Sequence, residues 1–273
     1  MKLSKFLPIA GAVAACAAVF AGGAAAATPA AGYEEFTTCP TRTVNTTIRF
    51  CISSVVTSGH LQIGSKDTPI TDPITLIGAT TTTGGFVLGS FDGGRQTVPG
   101  GLIGITGLDT LLGGLTGDLL KVYARTELAG TPSNPALDPV NLPIKIKLEN
   151  PLIGDNCYIG SDTNPVNLQL TRGTTSPPPP NSPITGHDAT NVFSDPLLPF
   201  ITRENDIRLV DNAFAAPAAS GCRLNLGLLH ISIDALVNLQ SGLPSAAGTN
   251  ETIQNGDAAV VRIQSVYPPS GLG

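Results

Sequence analysis

The sequence predicts a mainly β protein, an antiparallel β-sandwich or jelly-roll-like domain with one or two short helices. Charged residues make up only 13% of the chain, while 31 glycines and 23 prolines separate short runs of β-branched residues. This composition is typical of short strands joined by many turns. A helical bundle would need more Glu, Lys and Ala in periodic segments.

The first 27 residues have the pattern of a secretory signal peptide. Lys2 and Lys5 form a basic start, residues 6–20 are apolar, and alanines at 25–27 offer a small-residue cleavage site. A retained membrane anchor is the first alternative. Lipid anchoring is the second, because residues 13–16 end at Cys16 in the manner of a bacterial lipobox. We expect simple export to the outside of the cell or to the cell envelope.

Residues 28–273 are long enough to form a single β-rich domain with its own core. Removing residues 1–27 takes away two lysines and no acid, which changes the net charge from −5 to −7. An acidic surface repels phosphate groups, so neither nucleic acid nor an anionic membrane surface is an expected partner. The expected partner is an envelope or extracellular molecule that the sequence does not identify.

Four cysteines remain after residue 27: Cys39, Cys51, Cys157 and Cys222. An even number in an exported protein predicts two disulfides, for which three pairings exist. We expect Cys39–Cys51 and Cys157–Cys222, because the first pair closes a short loop and the second then joins distant segments. A metal site is not expected, since no Cys-x-x-Cys occurs and the three histidines are isolated.

Strands are predicted wherever β-branched or alternating apolar residues fall between turn residues. Residues 144–148 and 166–170 alternate most clearly, which places Ile144, Ile146 and Leu148 on the core side and the lysines in water. The other predicted strands cover residues 43–57, 61–63, 70–76, 86–88, 123–128, 207–210, 224–231 and 258–267.

Two segments predict short helices. Between residues 100 and 120, leucines recur at helical spacing, at positions 108, 111, 112, 115, 119 and 120. We expect a short helix lying on the sheet, although a membrane-inserting or pore-lining segment is the alternative. The second helix covers residues 232–240, with Ser232 as its cap and with Gly242 and Pro244 ending it.

Residues 174–183 include four consecutive prolines and predict a stiff, extended segment. It could be a linker between domains or a proline-rich ligand. We expect a surface crossing within a single domain, because the Cys157–Cys222 bridge would join the chain on both sides of it.

No catalytic, cofactor-binding or metal-binding residue can be assigned from the sequence. The nucleophile motif Gly-x-Ser-x-Gly is absent, and His60, His187 and His230 have only the polar neighbours expected in so polar a chain. Residues 59–66 resemble a phosphate loop, but Ser65 precedes Lys66 in the wrong order. The glycines at 101, 104 and 107 lack the strand and acid of a dinucleotide site.

Carboxylates are present without a pattern that selects a site. A glycosidase pair could come from the glutamates at 34, 35, 127, 149, 204 and 251, but nothing singles out two of them. Calcium could use oxygens of Asp155, Asn156, Asp162, Asn164, Asp206 and Asp211, although Asp and Asn are also ordinary turn residues. Calcium binding therefore stays open.

Four strings together resemble a group of secreted actinobacterial proteins of unknown function: residues 158–161 (Tyr-Ile-Gly-Ser), 173–181 (Gly-Thr-Thr-Ser-Pro-Pro-Pro-Pro-Asn), 211–214 (Asp-Asn-Ala-Phe) and 242–248 (Gly-Leu-Pro-Ser-Ala-Ala-Gly). The resemblance runs from about Cys39 to the end. It implies one continuous module and export, and it carries no catalytic residue.

The function expected from these observations is a secreted or envelope protein with a structural or binding role and no enzymatic activity. A secreted hydrolase with an unrecognised site is the first alternative, and His187 or His230 beside carboxylates would favour it. A membrane-active or channel-forming protein built around residues 100–120 is the second.

Overall fold

The computed structural model describes residues 28–41, 47–112, 114, 116–198, 200–227 and 229–268. The predicted signal peptide, Cys16 and Leu115 lie outside the described residues. Within the described ranges the protein is mainly β, with one large antiparallel sheet and short helices, as the composition predicts.

The first half of the chain contains the strands β1 (Ile48–Ile63), β2 (Lys66–Pro69), β3 (Ile74–Thr81), β4 (Phe86–Thr97), β5 (Tyr123–Leu128) and β6 (Val140–Glu149) and the helices α1 (Gly101–Thr106) and α2 (Asp109–Leu112). The second half contains β7 (Tyr158–Ile159), β8 (Val166–Leu170), β9 (Asn191–Ser194), β10 (Ile201–Asp211), β11 (Ala219–Ser220), β12 (Arg223–Leu226), β13 (Leu229–Ser232), α3 (Asp234–Ser241), β14 (Glu251–Arg262) and α4 (Ile263–Val266). Single 3-10 turns occur at Glu34–Phe36 and Gly117–Leu119.

The sheet bends into two facing halves because β4 changes partners along its length. The strand order is β11-β7-β6-β5-β4-β3-β1-β14-β10-β9, with β2 beside β1 and β8 beside β6. β4 pairs with β3 up to Asp92 and with β5 from Gly93 onward. A Cβ at Gly93 would lie 1.9 Å from the Thr126 carbonyl oxygen, so only glycine fits this close approach. The result is the sandwich-like arrangement that the sequence predicts.

On the side opposite β4, the two halves touch along a narrow line that we call the seam. Thr171, just after β8, and Val210 of β10 exchange two backbone hydrogen bonds of 2.9 Å. Beside them, the buried Asp211 carboxylate accepts a hydrogen bond of 2.6 Å from the Gln169 backbone N–H. Burial raises the pKa of this carboxyl, while bonds from the Ala213 and Gln169 N–H groups act in the opposite direction.

The space between the halves is lined by alternate residues of their strands. In β6, Leu142, Ile144, Ile146 and Leu148 are buried, while Lys145 and Lys147 are only partly buried, which confirms the predicted alternation. β8 repeats the pattern with Val166, Leu168 and Leu170. Each fully buried aliphatic side chain stabilises the fold by about 1.5–3 kcal/mol relative to an exposed one.

A second, smaller core covers the outer face of β1, β3 and β14. Phe36, Val261 and Val266 are buried there, and the Ala30 N–H donates to the Val266 carbonyl over 2.8 Å. The Cys39–Cys51 disulfide ties this N-terminal cover to β1, and it closes a loop of 12 residues as expected.

Helices α1 and α3 and the second disulfide close one end of the space between the halves. The Lys66 ammonium donates to the Gly104 carbonyl in α1 over 2.7 Å, and the Ser65 N–H donates to Ser241 at the end of α3 over 2.9 Å. The disulfide Cys157–Cys222 is also the predicted pair. Both pairings are therefore confirmed.

Three predicted elements are corrected. The single helix expected between residues 100 and 120 is wrong: α1 ends at the left-handed Gly107, and Leu111 and Leu119 are exposed. The strand expected at 258–267 ends at Arg262 and continues as α4, having begun at Glu251. Residues 224–231 form the hairpin β12–β13 rather than one strand.

The predicted α3 is present with a different start. Its first residue is Asp234, preceded by Ile233, and no side chain caps it, so Ser232 does not have the predicted role. Its end at the left-handed Gly242 agrees with the prediction.

The proline-rich segment is held against the fold by a buried amide cluster. The Asn181 side-chain amide donates to the carbonyls of Asn212 and Asn250, over 3.0 and 2.8 Å. Asn250 is fully buried and its own amide donates to the Phe214 carbonyl over 2.9 Å. The Asn181 backbone N–H also donates to the Gly248 carbonyl over 3.1 Å, so residues of three of the four strings on which the resemblance rests meet here. The single-domain organisation stays a prediction.

Candidate ligand-binding cavity

Two adjoining cavities lie between the halves of the sheet. The outer cavity has a volume of about 140 Å³ and is walled by aliphatic side chains that include Ile52, Val56, Leu76, Leu170 and Ile207. The inner cavity, of about 60 Å³, is walled by residues that include Leu61, Ile63, Ile105, Ile146 and Leu168.

The two cavities share four lining residues, Ile74, Phe91, Leu142 and Gln254. They therefore adjoin along a shared wall within the interior space, and α1 and α3 lie behind the inner cavity. The alternation of the strands produces this space, since each strand directs every second side chain inward.

The outer cavity reaches the surface at a polar rim that we call the mouth. Its lining includes the exposed residues Ala136 and Asp257 and the half-buried Arg172 and Glu204. The Arg172 guanidinium lies 3.7 Å from the Asp188 carboxylate, and its Nε is buried without a hydrogen bond to any described residue. No exposed residue lines the inner cavity within the described chain.

Gln254 is the polar side chain at the junction of the two cavities. It is 8% exposed, and it pairs across β14 with Gly59 on one side and with Leu209, itself a cavity residue, on the other. Directly paired residues project to the same face, so the Gln254 side chain points into the cavity. In the described part of the chain, its carboxamide forms no hydrogen bond.

A second buried glutamine lines the inner cavity but has all its polar partners. The Gln96 oxygen accepts hydrogen bonds from the N–H groups of Thr71 and Asp72, over 2.8 and 3.0 Å. Its nitrogen donates to the Asp72 carbonyl over 2.6 Å. Gln96 therefore has a structural role, whereas the amide donor and the acceptor oxygen of Gln254 are unpaired among the described residues.

The three histidines lie apart from one another and outside the cavity lining. His60 stands between two carboxylates, with Asp67 at 3.1 Å from Nδ1 and Glu251 at 3.3 Å from Nε2. His187 contacts the Asp188 carbonyl, and the exposed His230 contacts the Asn225 side chain. No hydroxyl or thiol of a described residue is hydrogen-bonded to any of these imidazoles.

Most of the candidate glutamates are engaged in ion pairs. Glu35 pairs with Arg203, Glu127 with Lys145, Glu149 with Arg95 and Arg125, and Glu251 with His60. Glu34 instead accepts a hydrogen bond from the Gly32 N–H. Glu204 stands at the mouth.

The predicted oxygen ligands for calcium are spread over separate turns and strands. Asp162 pairs with Lys145, Asp206 accepts from Thr190, Asn164 closes a turn with Ser161, and Asp211 lies at the seam. Asp155 and Asn156 line a shallow polar depression near His230. Within the described ranges no group of three or more His, Cys, Asp or Glu is arranged to hold a metal ion.

No family model, curated protein or solved structure matches this chain. Among the helices of the described residues, none has the length and apolar character needed to cross a membrane.

Sequence reasoning missed Gln254, because the last strand was placed at residues 258–267. Had the strand been extended back to Glu251, the alternation would have put Thr252 and Gln254 on the same face as Ala258 and Val260. Two polar residues on an otherwise apolar face of this strand were the signal in the sequence that could have indicated Gln254.

Proposed function

We propose that this protein binds a small apolar molecule between the two halves of its sheet, outside the cytoplasm. The observation that carries the proposal is the interior space itself. Protein interiors are normally packed as tightly as organic crystals. An interior space of about 140 Å³ with mainly aliphatic walls departs from that packing. Burial of an apolar ligand there would be favourable, at roughly 25 cal/mol per Å² of apolar surface removed from water.

The shape and lining of the space favour a thin ligand. An apolar cavity of about 150 Å³ can bind a molecule the size of benzene. The outer cavity is of that size and adjoins the inner one, which suits a short aliphatic chain or a single ring. Apolar walls with a few polar groups are the usual features of small-molecule sites.

Export is the second part of the proposal. It is supported by the signal-peptide pattern of residues 1–27, by the two disulfides and by the resemblance to secreted actinobacterial proteins. Binding is favoured over hydrolysis because the described imidazoles lack a hydroxyl or thiol partner.

The test is a titration of the exported, oxidised protein with benzene, followed by isothermal titration calorimetry. We expect saturable binding with a stoichiometry of about one, and displacement by short aliphatic molecules. Binding should not weaken at high salt, because burial of apolar surface drives it. Absence of saturable binding would contradict the proposal.

The variant Ala258→Leu should block the outer cavity, because Ala258 lines it and leucine is larger. We expect it to lose benzene binding, while Ala259→Leu, on the opposite face of the same strand, retains it. If both variants bind like the unmodified protein, benzene binds elsewhere and the cavity is not the site.

A further inference from the structure

We propose that the ligand is a neutral molecule with an oxygen atom inside its apolar body, and that this oxygen forms a hydrogen bond with Gln254. This inference rests on the proposed function, because it takes the cavity as a binding site. It specifies the chemical class of ligand that the cavity favours.

The first argument is the state of the Gln254 side chain. Buried amides are almost always hydrogen-bonded, since desolvating one without a partner is unfavourable. Gln254 is 8% exposed, its amide atoms keep some accessible surface, and it has no hydrogen-bond partner among the described residues, whereas Gln96 in the same sheet is hydrogen-bonded at both its oxygen and its nitrogen. The carboxamide of Gln254 therefore has both a donor and an acceptor available for a ligand.

The second argument is the position of Gln254. It lines both cavities, and Ile74, Phe91 and Leu142 complete the junction with apolar groups. A ligand that fills both compartments would pass this point with its middle rather than its end. Its oxygen would thus have an apolar arm on each side, as in a ketone or a secondary alcohol.

The third argument concerns charge. The mouth carries two carboxylates, Glu204 and Asp257, against one guanidinium, that of Arg172, which lies 3.7 Å from Asp188. The inner cavity carries the Lys66 ammonium, which already donates to the Gly104 carbonyl over 2.7 Å. The chain as a whole is also acidic. An anionic ligand would be repelled on approach and would need to lose its hydration inside an apolar wall, so a neutral ligand is favoured.

The experiment compares three probes of similar length: dibutyl ketone, nonane and nonanoate. Each is used to displace benzene from the full exported protein. We expect the ketone to bind roughly fivefold or more tightly than nonane, which corresponds to one net hydrogen bond of about 1 kcal/mol. We expect nonanoate to bind more weakly than either neutral probe.

The variant Gln254→Leu should bring the ketone and nonane to equal affinity by weakening the ketone and leaving or improving nonane. Its matched control is Gln169→Leu, which makes the same change at an exposed position of β8 and should keep the preference. Retention of benzene binding shows that a variant is folded.

A readout without any variant is the infrared carbonyl stretch of the bound ketone. A hydrogen bond from the Gln254 amide lowers this frequency relative to the ketone in alkane, and we expect such a shift. If the stretch is unshifted, or if ketone and nonane bind the unmodified protein equally, the inference is wrong although the cavity still binds. If no neutral probe binds, the proposed function itself fails.

Discussion

Replacing Ala258 with leucine would add three carbon atoms to the wall of the outer cavity. Ala258 lies in the middle of β14, opposite Ser54 of β1, and both residues line that cavity. At about 0.8 kcal/mol for each buried carbon, filling the empty space should raise the free energy of unfolding by about 2 kcal/mol. The same change should abolish ligand binding.

Ala259 provides the matched control, because it is the next residue and faces the other way. It is buried in the second core with Val261 and Ile201. A leucine there has no space to fill, and overpacking of a filled core costs roughly 1–3 kcal/mol. The two adjacent substitutions are therefore expected to change stability in opposite directions.

The assay is urea unfolding of the oxidised proteins without ligand, followed by circular dichroism, with midpoints compared at constant slope. An increase in the midpoint for Ala258→Leu and a decrease for Ala259→Leu is the expected pair of results. A loss of stability at both positions would show that the space between the halves is already filled, and the reasoning from the cavity would be refuted.

Three further outcomes follow from the structure. Replacing both cysteines of the 157–222 bridge with alanine should lower the free energy of unfolding by about 4 kcal/mol, and the same change at the 39–51 bridge should lower it by about 3 kcal/mol. The difference is expected because the two loops span 65 and 12 residues. Equal losses in urea unfolding would contradict this dependence on loop length. Because burial raises the pKa of Asp211 above its ordinary value of 3.8, its contribution to stability is present at low pH and is lost as the pH rises through the folded-state pKa. In thermal unfolding, Asp211→Asn should therefore gain stability relative to the unmodified protein as the pH rises. The same pH dependence in both proteins would contradict this assignment. Gly93→Ala should destabilise the protein by roughly 1–3 kcal/mol, because the added Cβ would collide with the Thr126 carbonyl. The control is Gly114→Ala, where a Cβ meets nothing within 4 Å. In the same unfolding assay it should change stability by less than about 0.5 kcal/mol.

Local patterns were sufficient to predict the strands and their faces in several places. The alternation in residues 144–148 and 166–170 gave both the strands and the buried side, because a half-buried strand directs every second residue to the core. The disulfide pairs also followed from the spacing of the four cysteines.

The prediction of one helix between residues 100 and 120 was wrong because the backbone conformation of two glycines interrupts the helix despite the helical spacing of the leucines. Gly100 and Gly107 both have positive φ, of 80° and 67°, and they confine α1 to the six residues between them. The leucine periodicity continues beyond that break, but a regular helix does not.

The cavity could not be predicted because it depends on which strands become neighbours. Gln254 faces an enclosed space only because β14 lies between β1 from the start of the chain and β10 from much later. A single sequence does not contain those pairings. The change of partners along β4 at Gly93 is equally invisible, since a glycine pair in a sequence indicates a turn as readily as a bend.

The seam has a consequence for the exchange of ligand with solvent. Along β1 and β14 the strands are joined over most of their length, but β8 and β10 are linked near Thr171 and Val210 by two backbone bonds and by the Asp211 carboxylate. Local unfolding begins where the fewest bonds must break. Amide hydrogen exchange should therefore be faster at Thr171 and Val210 than in the centre of β14. Because Leu170 and Leu209 on either side of this line are cavity wall, such an opening would widen the path between the cavity and the mouth without unfolding the rest of the protein.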